Sequence, residues 1–314
     1  MINRIGIVGA GAIGCSLGSA LYETYGDRFC FVANGPRAER LRKNGLVING
    51  TAIYPPIYSQ PDSEGLDLLF LAVKNYSLED TLDTIQPLVS EKTVILPLLN
   101  GVTAVDEVRK RFPSNIVPFG IVLRTDAERI GKEITVSVRG EIQIGFAKDE
   151  EPHTALMQEI HDLLVNAGID CNIYPDMRHM QWRKWMVNIG ANQASALTCA
   201  KFKYFGRFDE IIVLVRESIE EILEIAKKKD IGMTHKDVDD IVELLINYPP
   251  EKKTSMFQDI EARRRTEIDY FAGTVIKMGQ ETGVPTPVNR VMYYALKARE
   301  QVGMAEKAEE KTSK

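Results

Sequence analysis

A lysine and two asparagines recur at intervals of four residues within residues 181–197, which read QWRKWMVNIGANQASAL. If this segment is a helix, Lys184, Asn188 and Asn192 form one polar stripe, because each step of four residues drifts by only about 40°. An ammonium group beside two carboxamides suits chemistry on a carbonyl, since the ammonium donates a proton and each amide both donates and accepts hydrogen bonds. The alternative is that the asparagines satisfy buried neighbours and the lysine extends to solvent.

A glycine motif indicates a dinucleotide-binding turn. Residues 3–8 form a short β-branched run, GAGAIG follows at residues 9–14, and a helix-like segment comes next. In this pattern Gly9 allows the tight turn, Gly11 lets the backbone approach a pyrophosphate, and Gly14 lets the helix pack close to the strand. The alternative is a glycine-rich turn of another α/β domain. If the motif binds a cofactor, the contacts include the residues between the glycines, Ala10, Ala12 and Ile13.

The end of the second predicted strand bears on the choice between NAD and NADP. Residues 28–33, RFCFVA, are followed by Asn34, where an NAD-binding domain usually carries an acid that holds the ribose 2′-hydroxyl. Arg37 and Arg40 come soon afterwards, and guanidinium groups bind phosphate in a bidentate manner. The sequence therefore favours NADP, unless these arginines only cover a helix that begins near Pro36.

Polar residues also end two further predicted strands. Residues 66–73, LDLLFLAV, and 93–99, TVILPLL, are the continuous apolar runs expected of buried parallel strands. Lys74 follows the first run and Asn100 follows the second. Because ligands of open α/β sheets bind at the carboxyl ends of the strands, we expect both side chains to face the same crevice as the glycine turn. Each can also be an ordinary loop residue, since Asn-Gly is a common turn.

The secondary-structure pattern changes near Pro175. Before it, strands alternate with helices, and further strands are predicted within 46–58 and at 115–122, 133–138, 141–146 and 171–174, with a helix at 153–167. The strands at 115–146 are expected to complete the parallel sheet, the last two joined by a turn at Arg139-Gly140. After it, long helical patterns dominate, at 181–197, 208–229, 236–246, 257–282 and 287–302. The predicted fold class is α/β: a Rossmann-type dinucleotide-binding domain at 1–175 and an all-helical substrate-binding domain at 176–314, whose charged tail, 305–314, is expected to fray.

Composition and spacing exclude several classes of protein. The 314 residues, 44% of them hydrophobic, can bury the cores of two domains. We expect a cytoplasmic protein without a membrane segment, because the sequence has neither a signal-peptide cleavage pattern nor a run of roughly 18 apolar residues. A net charge of -5 argues against nucleic acid as a partner. Without CxxC or HxxxH spacing, no metal site is expected.

Five segments occur in the order seen in one enzyme family. They are GAGAIG, LAVKNYS with Lys74, LLNGV with Asn100, WRKWMVNIGAN, and SMFQDIEARRRTEIDYFAG at residues 255–273. In these segments the chain resembles the ketopantoate reductases, or 2-dehydropantoate 2-reductases, over residues 1–300. The resemblance implies NADPH-dependent reduction of 2-dehydropantoate to pantoate, on a Rossmann domain joined to a helical domain of the 6-phosphogluconate dehydrogenase type.

The resemblance also implies a role for each matched residue. It makes Lys184 the catalytic lysine and proton donor, and it makes Asn188, Asn192 and Ser255 substrate-binding residues. It assigns to the cofactor crevice Lys74, Asn100 and Glu267, of which Asn100 can also reach the substrate. Each of the added residues has a structural alternative: Glu267 as one of several surface charges, and Ser255 as a helix N-cap with Gln258 in a capping box.

Two departures from the family pattern leave the ligands open. The family often has arginine where Asn34 stands, so that Arg37 would have to bind the 2′-phosphate. An asparagine that binds substrate in some members is replaced near Phe202. The alternatives are therefore an NADP-dependent dehydrogenase of a different small keto or hydroxy acid, and a non-catalytic NADP-binding regulator. A homodimer is expected because the helical domain is apolar.

Overall fold

The structure is a computed structural model that describes residues 1–62, 65–130 and 133–312. The chain forms two compact units, Met1–Gln181 and a second that begins at Trp182. This division falls inside a helix, whereas the domain boundary near Pro175, just ahead of that helix, stays a prediction.

The first unit contains a parallel sheet of short, nearly fully buried strands. Among the described residues the strand order is β5-β2-β1-β6-β7, the 3-2-1-4-5 arrangement of a Rossmann fold, and all four neighbouring pairs are parallel. Apolar residues face both sides of such a sheet, which is why its strands read as continuous apolar runs. The strands in chain order are β1 (Ile5–Val8), β2 (Phe29–Val32), β3 (Leu46–Ile48), β4 (Thr51–Ile53), β5 (Ile57–Tyr58), β6 (Leu68–Leu71), β7 (Val94–Pro97), β8 (Phe119–Leu123), β9 (Asp126–Ile130), β10 (Glu133–Val138), β11 (Glu141–Gly145) and β12 (Asp170–Tyr174). The helices are α1 (Ala12–Tyr25), α2 (Gly35–Asn44), α3 (Leu78–Ile85), α4 (Ala104–Arg111) and α5 (Thr154–Asn166).

The strands after β7 do not complete the parallel sheet, so that prediction is wrong. Within the described residues, β12, β11 and β8 form one separate sheet, and β4, β3, β10 and β9 form another. Most of β10 is solvent-exposed, which rules out a place in a sheet covered on both faces. The predicted turn at Arg139-Gly140 connects these two sheets instead of forming a hairpin. Gly140 has a φ of +81°, and a Cβ there would lie 2.3 Å from the backbone oxygen of Leu123.

The second unit is helical, as predicted. The helices at 208–229 and 236–246 are confirmed as α8 and α9. The helix predicted at 257–282 is wrong, because Arg263 has a φ of +50° and a 3₁₀ turn at Ile268–Tyr270 separates α10 from α11. The helices in chain order are α6 (Met177–Asn188), α7 (Ala194–Thr198), α8 (Asp209–Lys228), α9 (His235–Ile246), α10 (Ser255–Glu261), α11 (Ala272–Thr282) and α12 (Pro287–Thr312).

The charged tail is helical through Thr312, well beyond the predicted helix end at residue 302. Its charges have partners on the segment after α10: Arg263 pairs with Glu306 and Glu310, and Lys307 Nζ donates to the carbonyl of Ala262 at 2.7 Å. These contacts favour the helical form of a segment whose composition alone predicts fraying.

The described residues contain neither a membrane-spanning helix nor a cluster of metal-binding side chains. No helix there is long and apolar enough to cross a membrane. The same part of the chain has no group of three or more His, Cys, Asp or Glu side chains that could hold a metal ion.

Candidate functional site

The three glycines of GAGAIG differ in what a side chain at each position would meet. Gly9 has a φ of +109°, and a Cβ there would lie 2.3 Å from the backbone oxygen of Ala72 in the segment after β6. A Cβ at Gly14 would lie 1.8 Å from the backbone oxygen of Gly9, so the helix packs directly on the turn. A Cβ at Gly11 would meet nothing within 4 Å. The turn therefore leaves open space at Gly11, where α1 begins.

The open space at Gly11 fits a phosphate group. Gly11 is the N-cap of α1 and has no side chain that could cap this helix end. The first N–H groups of a helix need acceptors, and the helix dipole favours a negative charge there. The geometry thus supports the roles that the sequence predicts for Gly9, Gly11 and Gly14.

An arginine from a distant strand also contacts this turn. Arg129, in β9, donates from Nη1 to the backbone oxygen of Ala10 at 2.6 Å. Arg139 makes a similar contact further along α1, where its Nη1 donates to the backbone oxygen of Ser16 at 2.9 Å. Sequence reasoning missed Arg129, because β9 was not predicted and nothing local marks a residue that binds a turn 119 positions away.

The end of β2 carries an uncharged residue and then an arginine. Asn34 is exposed and is the N-cap of α2; its Nδ2 donates a long hydrogen bond, 3.5 Å, to Thr84 Oγ1. Arg37 lies in the first turn of α2 and keeps a large exposed surface. Partial burial lowers the pKa of its guanidinium, and the positive charges of Arg129 and Arg40 lower it further. Arg37 therefore belongs to a group of like charges.

A buried asparagine joins the two polar strand ends predicted to face the crevice. Asn75 follows Lys74, is only 3% exposed, and donates from Nδ2 to the backbone oxygen of Asn100 at 2.9 Å. Lys74 itself is exposed, and Asn100 is half-buried and precedes Gly101, whose φ is +93°. The segments after β6 and β7 are thus held together at the same sheet edge as the glycine turn. Sequence reasoning singled out Lys74 and missed Asn75.

The polar stripe predicted for the second unit is interrupted by a π turn. Lys184 and Asn188 lie in α6, whereas Asn192 lies in a π-helical segment, Ile189–Gln193. In an α-helix, four residues rotate about 40° further than one full turn. In a π-helix, four residues rotate by less than one full turn. The second step therefore reverses the drift of the first, and Asn192 returns towards the line of Lys184. Such π turns inside α-helices occur frequently at functional sites.

A buried side-chain network holds the π turn. Gln193 is fully buried, and its Nε2 donates to Asn289 Oδ1 at 3.0 Å. Asn289 in turn donates from Nδ2 to the backbone oxygen of Ser218 and to the carboxylate of Glu221. These contacts connect the π turn to α12 and α8, so the position of Asn192 is set by the packing of the unit.

Asn192 and Ser255 are brought together, as expected of two substrate-binding residues. Asn192 Oδ1 accepts hydrogen bonds from Ser255 Oγ and from the backbone N–H of Met256, both at 3.1 Å. The N-cap of α10 is Thr254, whose hydroxyl accepts from the N–H of Phe257, so the alternative reading of Ser255 as the N-cap is wrong. Because Asn192 uses its oxygen on these donors, its amide nitrogen is the atom that remains for another acceptor.

Lys184 is close enough to Glu267 for their charges to interact. Burial lowers the pKa of the Lys184 ammonium to about 8, and the negative charge of Glu267 opposes this lowering. Glu267 is only 5% exposed, so it is not one of the surface charges of the RRRTEID segment. A lysine that extended fully into solvent would keep its usual pKa near 10.4. The pair is therefore a buried ionisable site, which is where perturbed acids and bases of enzymes are found.

The segment near which the family pattern is expected to carry an asparagine contains an aromatic cluster. Phe202 is 6% exposed, and its ring centroid lies 4.4 Å from that of Tyr248 and 5.1 Å from that of Phe205. Phe202 therefore contributes apolar packing.

Comparison with known families identifies the family to which the chain belongs. Residues 5–149 match the family described as ketopantoate reductase PanE/ApbA, and residues 176–300 match the C-terminal part of the same family. The chain belongs to the ketopantoate reductase family. The predicted fold class and the prediction of an oxidoreductase are confirmed, and the cofactor is a nicotinamide dinucleotide.

Several relatives align over almost their entire length. The 2-dehydropantoate 2-reductase of Mycobacterium tuberculosis is 29% identical, over 95% of this chain and 98% of the relative, and that of Pyrococcus horikoshii is 26% identical, over 96% and 98%. The solved 2-dehydropantoate 2-reductase of Geobacter metallireducens has a TM-score of 0.81 at 26% identity, covering 94% and 99% of the two chains. A solved D-mandelate dehydrogenase in complex with NADH has a TM-score of 0.84 at 25% identity, covering 95% and 99%.

The contrast between Gly14 and Gly11 gives a matched pair of variants. Gly14→Ala places a methyl group against a backbone oxygen, and we expect it to lower the free energy of unfolding of the cofactor-free protein by about 1–3 kcal/mol. Gly11→Ala fills open space, so it should leave stability unchanged but weaken binding of the dinucleotide by roughly tenfold or more. Thermal unfolding and cofactor titration of both variants test this. Unchanged cofactor affinity in Gly11→Ala would show that the space is not the phosphate site.

Proposed function

We propose that this protein reduces 2-dehydropantoate to pantoate with NADPH, and that Lys184 donates the proton. The observation that carries the proposal is the Lys184 ammonium, whose pKa is lowered to about 8, on the same helical segment as Asn188 and Asn192. Relatives named 2-dehydropantoate 2-reductase, 26–29% identical over nearly the whole chain, support the choice of substrate.

The environment of Lys184 suits a general acid that acts near neutral pH. A proton donor is most effective when its pKa is close to the working pH, and an ordinary lysine holds its proton too tightly. Burial weakens that hold, while Glu267 keeps the ammonium charged at pH 7. When bound, NADPH supplies the hydride for the carbonyl carbon. Lys184 stabilises the negative charge that develops on the carbonyl oxygen and transfers its proton there, which completes the alcohol.

The hydrogen bonds of Asn192 indicate how the second unit orients a keto acid. The oxygen of Asn192 is bound to Ser255 and to the N–H of Met256, so its Nδ2 donates to an anionic group, the substrate carboxylate. Ser255 donates its proton to Asn192 and keeps its oxygen lone pairs, which suits the hydroxyl of 2-dehydropantoate. Asn188, half-buried and one turn before Asn192, offers a further amide.

The first unit supplies the proposed cofactor residues. Gly9 to Gly14 with Ala10, Ala12 and Ile13 form the phosphate-binding turn, and Lys74 and Asn100 follow the neighbouring strands. We propose NADP rather than NAD, because Asn34 gives no acid for a ribose 2′-hydroxyl and Arg37 stands within a group of positive charges. Glu267 belongs to the second unit, where it interacts with Lys184 and is proposed to accept a hydrogen bond from the cofactor.

One observation favours a second candidate, reduction of a different 2-keto acid. The D-mandelate dehydrogenase with a TM-score of 0.84 and 25% identity shows how similar the fold of an enzyme for another 2-hydroxy acid is. In this chain, the resemblance to the family implies that a substrate-binding asparagine of some relatives is replaced near Phe202, whose ring is buried. NADPH oxidation measured with 2-dehydropantoate and with aliphatic and aromatic 2-keto acids separates the two candidates by kcat/KM.

The assembly and location of the protein complete the proposal. We propose a homodimer in the cytoplasm. Large apolar side chains lie exposed on α12, among them Val291 at 68% and Tyr294 at 60%, as expected of a surface that associates. The molecular mass measured by light scattering tests the dimer.

Removing the proposed acid should stop turnover and spare cofactor binding. Lys184→Ala should lower kcat on the best keto acid by roughly 10²- to 10⁴-fold, the usual effect of losing a positioned general acid, while the Kd of NADPH changes little. Lys184→Arg should not restore activity, because guanidinium holds its proton much more tightly. Near-normal turnover in Lys184→Ala would assign this helix a purely structural role, and the proton would then have to come from Lys74 or water.

The lowered pKa of Lys184 predicts a pH dependence with a definite sign. Reduction needs the protonated lysine, so kcat/KM should be constant below about pH 8 and fall as the pH rises through that value. Oxidation of pantoate needs the neutral lysine and should rise over the same range. Glu267→Gln removes the charge that raises the pKa, so both curves should shift to lower pH. The control Asp269→Asn, which removes a carboxylate paired with Lys297, should leave them in place.

The two roles of Asn192 can be separated by two substitutions. Asn192→Asp keeps an oxygen for Ser255 and Met256 but places a negative charge where a carboxylate should bind, so KM for the keto acid should rise about tenfold or more at unchanged Tm. Asn192→Ala loses the acceptor as well and should lower both Tm and affinity. Steady-state kinetics and thermal unfolding measure these effects. An unchanged KM in Asn192→Asp would place the substrate carboxylate elsewhere.

A further inference from the structure

Arg129 reaches the glycine turn from a strand outside the parallel sheet. Its Nη1 donates to the backbone oxygen of Ala10, the residue between Gly9 and Gly11, at 2.6 Å. The contact spans 119 positions of the sequence and joins β9 to the loop that follows β1. The Arg129 guanidinium is therefore fixed beside the turn that the cofactor phosphates are expected to approach.

Arg37 belongs to the same neighbourhood. The charge of Arg129 acts on Arg37, and the charges of both arginines act on the buried thiol of Cys15, in the first turn of α1. Two elements, the start of α2 and β9, thus bring guanidinium charge close to the start of α1. Arg40, one turn further along α2, adds to the positive charge around Arg37.

The topology places this charge where a Rossmann fold holds the adenosine ribose. β1 and β2 are adjacent parallel strands, with Val8 opposite Val32, so the segments after them leave the same edge of the sheet side by side. In this fold the turn after the first strand binds the pyrophosphate, and the residue at the end of the second strand recognises the ribose 2′ position. Here that residue is Asn34, which carries no charge, while Arg37 follows it in α2 and Arg129 contacts the segment after β1.

The local charge balance favours an anion. In the described part of the chain, no carboxylate is among the charges that act on Arg37; the neighbouring charges that lower its pKa are both arginines. Like charges held close together repel, and a phosphate dianion between them removes that repulsion and gains charge-assisted hydrogen bonds. A guanidinium has five N–H donors in a rigid fork, a geometry that can bind more than one acceptor.

We propose that Arg129 and Arg37 together bind the 2′-phosphate of NADP, with Arg129 supplying the charge that Asn34 does not provide at the end of β2. Arg129 is then a residue that determines cofactor specificity, as well as a support of the glycine turn. The inference rests on the proposed function only in its choice of NADP, and it is tested by binding, without turnover.

The test measures the Kd of NADPH and of NADH by titration of the full-length protein. Arg129→Gln keeps a hydrogen-bond donor for the Ala10 carbonyl but removes the charge, so the Kd of NADPH should rise about 10- to 100-fold and that of NADH less than about threefold. The control is Arg139→Gln, which removes an arginine with a similar contact, to the Ser16 carbonyl, and which is not among the charges that act on Arg37. It should leave both Kd values unchanged. The double variant Arg37→Gln with Arg129→Gln should bind the two cofactors alike.

Two results would overturn the inference. If Arg129→Gln weakened NADPH and NADH by the same factor, Arg129 would only support the turn, and the 2′-phosphate would have to be assigned to other residues. If the unaltered protein bound NADPH no more tightly than NADH, there would be no 2′-phosphate site to explain. Failure of the proposed function looks different: a protein that discriminates by Arg129 but does not reduce 2-dehydropantoate refutes the substrate and leaves this inference standing.

Discussion

The charge interaction between Lys184 and Glu267 is the constraint on which the second unit depends. A buried ammonium without an opposite charge loses its proton or destabilises the fold, and a buried carboxylate does the same in the other direction. Here the negative charge of Glu267 opposes the effect of burial, and the pKa of Lys184 is lowered only to about 8. A fully solvated lysine would be a poor acid at neutral pH, and without Glu267 the pKa of the buried lysine would be lower still. Burial opposed by a nearby negative charge gives a group that holds a proton at pH 7 and can release it.

The rest of the unit keeps the neighbours of this pair in position. The π turn places Asn192 against the start of α10, and the buried amides of Gln193 and Asn289 hold the π turn. The network is not fully satisfied: within the described part of the chain, Gln193 Oε1 and Trp185 Nε1 are buried without a hydrogen-bond partner. Each such group costs about 1–3 kcal/mol, which the surrounding apolar packing must offset. Buried polar groups without hydrogen-bond partners are tolerated where the fold needs a local geometry that a regular helix does not provide.

Local patterns in the sequence predicted the elements whose formation depends on nearby residues. The buried strands, the glycine turn and helices α8 and α9 have strong periodic or compositional signals, and the structure contains them. β9 has charged residues at three of its five positions, so no strand was predicted there. The π turn could not be predicted either, because the polar residues remain four positions apart in sequence, as they would in an α-helix. The break after α10 occurs at Arg263, without the glycine or proline that usually marks one.

The site residues that were missed are those defined by distant contacts. Asn75 binds a carbonyl 25 positions away, and Arg129 binds one 119 positions away. Arg129 belongs to no motif, and Asn75 lies in the LAVKNYS segment without having been singled out, whereas Lys184, Asn192 and Ser255 were found from their spacing or from the resemblance to the family. A resemblance therefore identifies residues that relatives share and passes over those that compensate for a departure.

The two units differ in what their sites require of the sequence. In the first unit the glycine turn works through backbone shape: Gly9 and Gly14 are needed because any Cβ would meet a carbonyl oxygen, whatever its chemistry. In the second unit the site works through side-chain charge and hydrogen bonding. Side chains of similar volume but with different hydrogen-bonding groups would abolish it. The effect of a substitution in the glycine turn should therefore depend on the size of the new side chain, and the effect of one around Lys184 should depend on its charge. Selecting a different keto acid therefore requires new hydrogen-bonding groups in the second unit, whereas the backbone shape of the glycine turn can stay the same.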